Sequence, residues 1–256
     1  MSKIIAVANQ KGGVAKTTST GAIAAGLRLR GFPVLAIDID PQGNLSDSVN
    51  ANIISAPTIY ELLRREADAA DVVQKLDVFD IIPANIMLAG MEQELLSQTG
   101  KEHRLSEVVS PIAHQYDYIL IDTPPSLGVL TINALTFADE VLVPTTAGIF
   151  ATQGIKQLSD TVENVKKYCN SKIHIKGILL TRYNPRAIIS QDIKELTESL
   201  ATHIKAPIFN SYIRNSIVVE EAQANKLDIF AYKGKSTVAD DYSAFIDEYL
   251  QGGANA

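Results

Sequence analysis

The sequence predicts an α/β fold, a doubly wound and mostly parallel sheet flanked by helices. Three observations predict it. Short β-branched runs recur along the chain, and they are nearly continuous in apolar residues, as in strands covered on both faces. Helical patterns separate them, and strands alternating with helices imply right-handed crossovers between parallel neighbours.

The first strand, 4–8, is the unbroken run Ile-Ile-Ala-Val-Ala, and a glycine-bearing loop leads from it into a helix over 17–30. A second strand over 34–37 follows, then a short helix over 59–65 with Ile59, Leu62 and Leu63 on one side. Strand 78–82 precedes a helix over 85–97, where Leu88, Met91 and Leu95 recur at helical spacing. The helix over 105–114 carries the same signature in Leu105, Val108, Val109 and Ile112. Strand 118–121 leads to a helix over 130–137, and strand 140–143 to one over 152–168. Strand 173–180 is the last one expected. Helices over 191–203 and 237–250 complete the order.

No internal repeat, low-complexity tract or Pro/Gly-rich linker divides the 256 residues, so one domain over 1–256 is expected, with 252–256 a frayed, disordered tail. Hydrophobic residues make up 46% and charged residues 20%, ordinary soluble usage, and no apolar run is long enough for a bilayer. The chain passes from Met1-Ser2-Lys3 directly into its first strand, which leaves no room for a signal peptide and predicts a cytoplasmic protein. A single cysteine, Cys169, excludes an internal disulfide, a Cys-x-x-Cys pair and a within-chain cysteine cluster. Net charge is -6, unevenly placed: residues 164–235 hold 12 Lys/Arg against 6 Asp/Glu, a local +6, which leaves -12 for the rest. A basic face on an acidic protein and solvated helix faces with scattered lysines fit that distribution equally well.

In doubly wound sheets ligands bind beyond the carboxyl ends of the strands. Those ends fall at 9–17, 38–44, 122–128, 144–148 and 181–186, all rich in Gly, Pro, Asp, Asn or Thr. The first contains Lys-Gly-Gly-x-x-Lys-Thr-Thr, Lys11 to Thr18. Its six fixed positions match by chance in a chain this long with odds on the order of 10⁻⁵ at average residue usage. Helix starts carry unpaired N–H groups and a positive dipole end, which suit phosphate. Gly12 and Gly13 permit close backbone approach, Lys16 is placed to reach the β- and γ-phosphates, and the Thr17 hydroxyl to hold Mg²⁺. Yet the ordinary P-loop pattern requires glycine where Gln10 and Ala15 stand.

These residues resemble the ParA/MinD family of deviant Walker A ATPases, whose loop reads Lys-Gly-Gly-x-Gly-Lys-[Ser/Thr]. The resemblance accounts for Gln10 and leaves Ala15 a departure. It implies a P-loop NTPase of the deviant Walker A type, with ATP and Mg²⁺ bound by Lys11, Gly12, Gly13, Val14, Ala15, Lys16, Thr17 and Thr18. Lys11 matches the signature lysine that crosses the dimer interface to the partner's nucleotide. "VLAIDIDPQGN", 34–44, is similar to switch I, with Asp40 placed to arrange the hydrolytic water and Asp38 close to the Mg²⁺ shell. "YDYILIDTPPSLG", 116–128, is similar to the Walker B strand and switch II, where Asp122 would bind Mg²⁺ directly or through water. Each aspartate alone also fits a helix cap or turn. Around "LLTRYNPR" and "SYIRNS", Arg214 and Asn215 match nucleotide-proximal positions more loosely.

Within the family, the acidic end "DDYSAFIDEYLQGGANA" is unlike the basic amphipathic membrane helix of MinD types. Iron-sulfur branches need cysteines that this chain lacks, and the two residues after Met1 leave no space for the helix-turn-helix domain of large plasmid ParA proteins. The chromosomal ParA, or Soj, type remains. That resemblance implies an ATPase, weak unless stimulated, that forms a homodimer on ATP, binds double-stranded DNA without sequence preference and partitions a chromosome or plasmid with a ParB-type activator. It would be nucleoid-associated when ATP-bound, with Arg182, Arg186, Lys194, Lys205, Lys226, Lys233 and Lys235 as DNA-binding candidates beside Arg214. A positioning ATPase for a protein complex would share every motif, and a nucleotide switch with little turnover would fit Ala15.

Overall fold

The computed structural model describes residues 2–146, 151–186, 201–202, 204 and 206–253. Its strands are β1 Lys3–Val7, β2 Val34–Asp38, β3 Gln74–Lys75, β4 Asp80–Ile82, β5 Tyr118–Asp122, β6 Glu140–Thr146, β7 His174–Tyr183 and β8 Ile208–Arg214. The helices are α1 Lys16–Leu29, α2 Asn44–Ser48, α3 Ile59–Arg64, α4 Ala69–Val72, α5 Leu88–Leu96, α6 Arg104–Ala113, α7 Val129–Phe137, α8 Ala151–Tyr168, α9 Ile217–Ala224, α10 Ile229–Lys233 and α11 Thr237–Leu250. One sheet holds the strands in the order β3-β4-β2-β5-β1-β6-β7-β8, parallel except for the β3–β4 edge pair.

Two apolar layers explain why the central strands carry no polar alternation. Ile4 and Ala6 of β1, Leu35 and Ile37 of β2, and Ile119 and Ile121 of β5 face one layer, packed with Leu88, Leu105, Leu130 and Ile155 from the flanking helices. Their neighbours Ile5, Val7, Val34, Ala36 and Leu120 face the other, against Ile23 and Leu27 of α1 and Tyr242, Phe245 and Ile246 of α11. Side chains alternate between faces and both faces are covered, so the interior positions of these strands are apolar and polar residues stand at their ends.

Three features depart from the expected order. Edge strands β3 and β8 were not expected, because β3 has two residues and β8 carries Asn210 and Ser211 in place of an apolar run. Glu248 of α11 covers that part of β8, accepting from the Asn210 and Ser211 N–H groups at 2.8 Å each. The short helices α2, α4, α9 and α10 span little more than two turns at most, too little for a periodic signal. At the expected tail, Lys176 Nζ donates to the Gly252 carbonyl at 2.7 Å and the Gly253 N–H to the Glu248 carbonyl at 3.0 Å, so order extends through Gly253. Residues 254–256 and nearly all of the helix expected over 191–203 lie outside the described residues.

Gly177 interrupts the apolar run of β7 for a packing reason. A Cβ there would stand 2.5–3.1 Å from three atoms of the Phe209 ring. That ring is buried and packs edge-on against Phe245 at 4.8 Å. Gly177→Ala is therefore expected to destabilise the fold by about 1–3 kcal/mol, the usual range for overpacking, seen as a lower urea midpoint with an unchanged slope.

Candidate functional site

The loop between β1 and α1 is held at both ends. Asn9 is buried, its Nδ2 donating to the Pro144 carbonyl at 2.8 Å while its Oδ1 accepts from the Lys11 N–H at 3.0 Å. At the other end the Val14 carbonyl accepts from the Thr181 hydroxyl at 3.0 Å. Gly12 and Gly13 are exposed between these anchors, and Gly13 takes φ +72°, a left-handed conformation that glycine adopts without penalty. Ala15 also takes φ 62° and ψ 33°, immediately before the first residue of α1, and no side chain caps that helix start.

Lys16 is buried, and its Nζ donates to the Lys11 carbonyl at 3.2 Å. Burial pulls its pKa down, and the nearby Asp122 and Asp40 carboxylates oppose that shift. Asp122 ends β5 beside Asp38 at the end of β2, in register, and both are completely buried. Burial first, and the Asp38 charge second, push the Asp122 pKa well up, against hydrogen bonds from Thr17 and Thr20. The Thr20 hydroxyl lies 3.1 Å from Asp122 Oδ1. Asp122 Oδ2 is buried without a hydrogen-bond partner among the described residues.

Asp38 is differently placed. Its Oδ2 accepts from the Ser46 N–H at 2.9 Å and the Ser46 hydroxyl at 2.7 Å, and its Oδ1 from the Asp40 N–H at 3.1 Å. These bonds lower its pKa, but burial outweighs them and raises it to about 6. Asp38 thus stands behind Asp122 and anchors the β2–α2 loop. Asp40 Oδ1 accepts from the Gln42 N–H at 3.0 Å, the turn role that its sequence also allowed. Asp40 nonetheless lines an open cavity of about 420 Å³, together with Gly12, Gly13, Ala15, Lys16 and Thr17.

The donor set beside this cavity suits Mg²⁺. A buried carboxylate with an unpartnered oxygen, next to a threonine hydroxyl, offers the hard oxygen ligands that this ion takes, and a cation would offset the charge that burial penalises. Thr17 and Asp122 are the residues that would hold it.

Other expected residues separate. Arg214 and Asn215 line a smaller cavity that shares Ala15, Thr18, Arg182 and Gln223 with the first. Arg214 is engaged by α11, its Nη2 2.6 Å from Asp241 Oδ1 and its Nε 2.9 Å from Oδ2. Arg182 faces the main cavity, and Lys226 pairs with Asp47 at its rim. Arg186 lies exposed past β7, and Lys233 and Lys235 are exposed at the end of α10. Lys194 and Lys205 lie outside the described residues. Sequence reasoning missed Asn9, Thr20, Ser46 and Thr181. Thr20 had a signal, one helical turn after Lys16 and Thr17; Ser46 had none, because its role depends on β2 and α2 meeting.

A family model described as AAA domain matches residues 2–175. The sporulation initiation inhibitor protein Soj of Bacillus subtilis is 36% identical over 99% of this chain and 100% of that protein. The chain belongs to the ParA/MinD family of deviant Walker A ATPases. A further relative, the chromosome partitioning protein ParA of Myxococcus xanthus, is 35% identical over 97% of this chain and 88% of its own. Among solved structures, a Mycobacterium smegmatis protein described as cobyrinic acid a,c-diamide synthase, with bound ADP and magnesium, superposes with a TM-score of 0.85. It is 34% identical, over 98% of this chain and 95% of that one.

For a ParA/MinD ATPase the unusual residue is Ala15. Its Cβ crowds the backbone at positive φ, which costs about 1–2 kcal/mol relative to the right-handed region. Ala15→Gly should accordingly raise stability by about 1 kcal/mol, read as a melting temperature ~2–4 °C higher. A second expectation concerns charge. Folded-state pKa values of Asp38 and Asp122 are raised, so the stability that they contribute is present below their unfolded values and lost as pH rises through the folded ones, about 6 for Asp38. Without divalent cations, Asp122→Asn should be the more stable protein at pH 8 by about 1–3 kcal/mol, with the advantage shrinking toward pH 5 in parallel urea titrations.

Proposed function

We propose that this chain is a Mg²⁺-dependent ATPase that dimerises around ATP, binds DNA without sequence preference as that dimer, and positions a chromosomal or plasmid cargo with a ParB-type activator. It works in the cytoplasm, on the nucleoid when ATP-bound. The carrying observation is that Lys16, Thr17 and Asp40 line one cavity, with Asp122 buried close to Lys16 and Thr17, in a chain similar to Soj over 99% of its length.

Lys16 exchanges the Lys11 carbonyl for phosphate oxygens, which restores a full charge partner to a buried ammonium. Backbone N–H groups at the start of α1 point to the same anion. Thr17 and Asp122 would hold Mg²⁺, which would supply positive charge beside the outer phosphates. Asp40 orients the attacking water, a task that needs direction more than basicity. Lys11 reaches the nucleotide of a second copy, and exposed basic residues of 182–235, Arg186, Lys233 and Lys235 among them, neutralise DNA phosphates. Among the described residues no helix is long and apolar enough to cross a membrane.

The strain at Ala15 favours a second reading, a nucleotide-dependent switch with little turnover. Steady-state ATPase with DNA and partner present separates the two: appreciable turnover that disappears in Asp40→Ala removes the pure switch. The primary reading is tested by DNA retention with ATP, with ADP and without nucleotide. Retention should require ATP, fall by on the order of 10³-fold between 50 and 200 mM salt, and vanish in Lys16→Ala. Equal retention without nucleotide would sink the dimer-dependent DNA model.

A further inference from the structure

Helix α5 and the segment leading into it touch both loops that flank the cavity. At its approach, Gly43 of the β2–α2 loop takes φ 62°, and a Cβ there would lie 2.9 Å from the Ala84 carbonyl. The Ala84 N–H donates to Ser46 Oγ at 2.9 Å, and that hydroxyl is the one bonded to Asp38. One turn into α5, Glu92 reaches the other loop. Its Oε1 presses on Gly128 so closely that a Cβ at 128 would collide with it. This Oε1 is buried and has no hydrogen-bond partner among the described residues.

Gly128 is the residue before α7, at the end of the loop that leaves Asp122 and contributes Pro125 to the cavity. The first turn of α7 contains no acidic residue, and no side chain caps it. Thr131 instead ties the helix back to the loop, its hydroxyl donating to the Ser126 carbonyl at 2.6 Å. An anionic oxygen at this helix start complements unpaired N–H groups and the positive dipole end. Gln93, the next residue of α5, is exposed and serves as a control.

We propose that Glu92 is a positioning residue for ATP hydrolysis, an acceptor that holds the Pro124–Gly128 loop in its productive place and couples it through α5 to the loop carrying Asp40. The inference rests on the ATPase reading above. An unpartnered buried carboxylate oxygen is costly, and its cost is recovered when a loop N–H closes onto it. Glutamine retains the acceptor oxygen and alanine does not.

The test compares Glu92→Ala, Glu92→Gln and Gln93→Ala with the wild type in steady-state ATPase, ATP affinity, melting temperature and amide hydrogen exchange over 123–131. Glu92→Ala should lower kcat roughly tenfold with KM and ATP affinity nearly unchanged and melting temperature not lowered, and should speed exchange over 123–131. Glu92→Gln should restore kcat and slow exchange, and Gln93→Ala should match the wild type. Unchanged kcat and exchange in Glu92→Ala would overturn the inference, as would parallel losses of affinity and melting temperature, which mark a merely structural contact. A wild type that hydrolyses no ATP would count against the proposed function, and the exchange arm would still decide whether Glu92 places the loop.

Discussion

Asp38 and Asp122 end neighbouring strands in register, and neither carboxyl group reaches solvent. Strands lie about 4.8 Å apart, so two full charges there would repel by about 3 kcal/mol at an effective dielectric constant near 20. Much of the surrounding structure answers that repulsion. Ser46 and the Asp40 N–H serve Asp38 and thereby bring α2 onto the sheet. Thr17, Thr20 and Lys16 serve Asp122 and fix the first turn of α1 over β5. One Asp122 oxygen is left without a partner among the described residues.

The same economy governs the loop above. Asn9 and Thr181 hold its two ends to β6 and β7, so the residues between have little freedom to relax. Ala15 keeps its left-handed conformation because those anchors over-determine it, the circumstance in which local strain persists at functional sites. Strain and charge are therefore stored on adjacent residues, Ala15 and Lys16. An anion at the loop would give the Lys16 ammonium a charge partner, whereas the strain at Ala15 persists as long as the loop keeps its shape.

Reading the sequence recovered the central strands because burial on both faces leaves a continuous apolar run, and the long described helices because burial of one face leaves a period. The edge strand β8 escaped notice because its backbone donors are answered by Glu248, 37 residues away from Ser211, and not by an apolar pattern. At the site, Lys16, Thr17, Asp40 and Asp122 were legible as residue types at or just past strand ends, and the structure brings Lys16, Thr17 and Asp40 to one cavity with Asp122 buried behind Lys16 and Thr17. Arg214 was legible as a basic residue near a nucleotide, but its bond to Asp241 depends on a helix packed from the far end of the chain. The φ of Ala15 could not be read either, since residues other than glycine take a positive φ only uncommonly and alanine gives no local signal of it. Its sign needed the anchored loop.

Unpartnered polar atoms divide the molecule in a way that residue types do not. Five buried side-chain atoms among the described residues lack partners: Gln10 Oε1, Glu92 Oε1, Asp122 Oδ2, Thr136 Oγ1 and Thr145 Oγ1. Gln10, Asp122 and Thr145 sit at or just past carboxyl ends of strands and Glu92 abuts the loop that follows Asp122, whereas Thr136 lies apart in the last turn of α7. At the opposite end of the sheet, Glu140 is as deeply placed but fully engaged, accepting from Tyr249 Oη at 2.6 Å and Lys3 Nζ at 3.1 Å. A fold under selection for stability alone would treat its two ends alike, because each unmade bond costs about 1–3 kcal/mol. Here most of the cost lies where a nucleotide, a cation or a loop N–H would supply the missing partners, so that its recovery would add to binding.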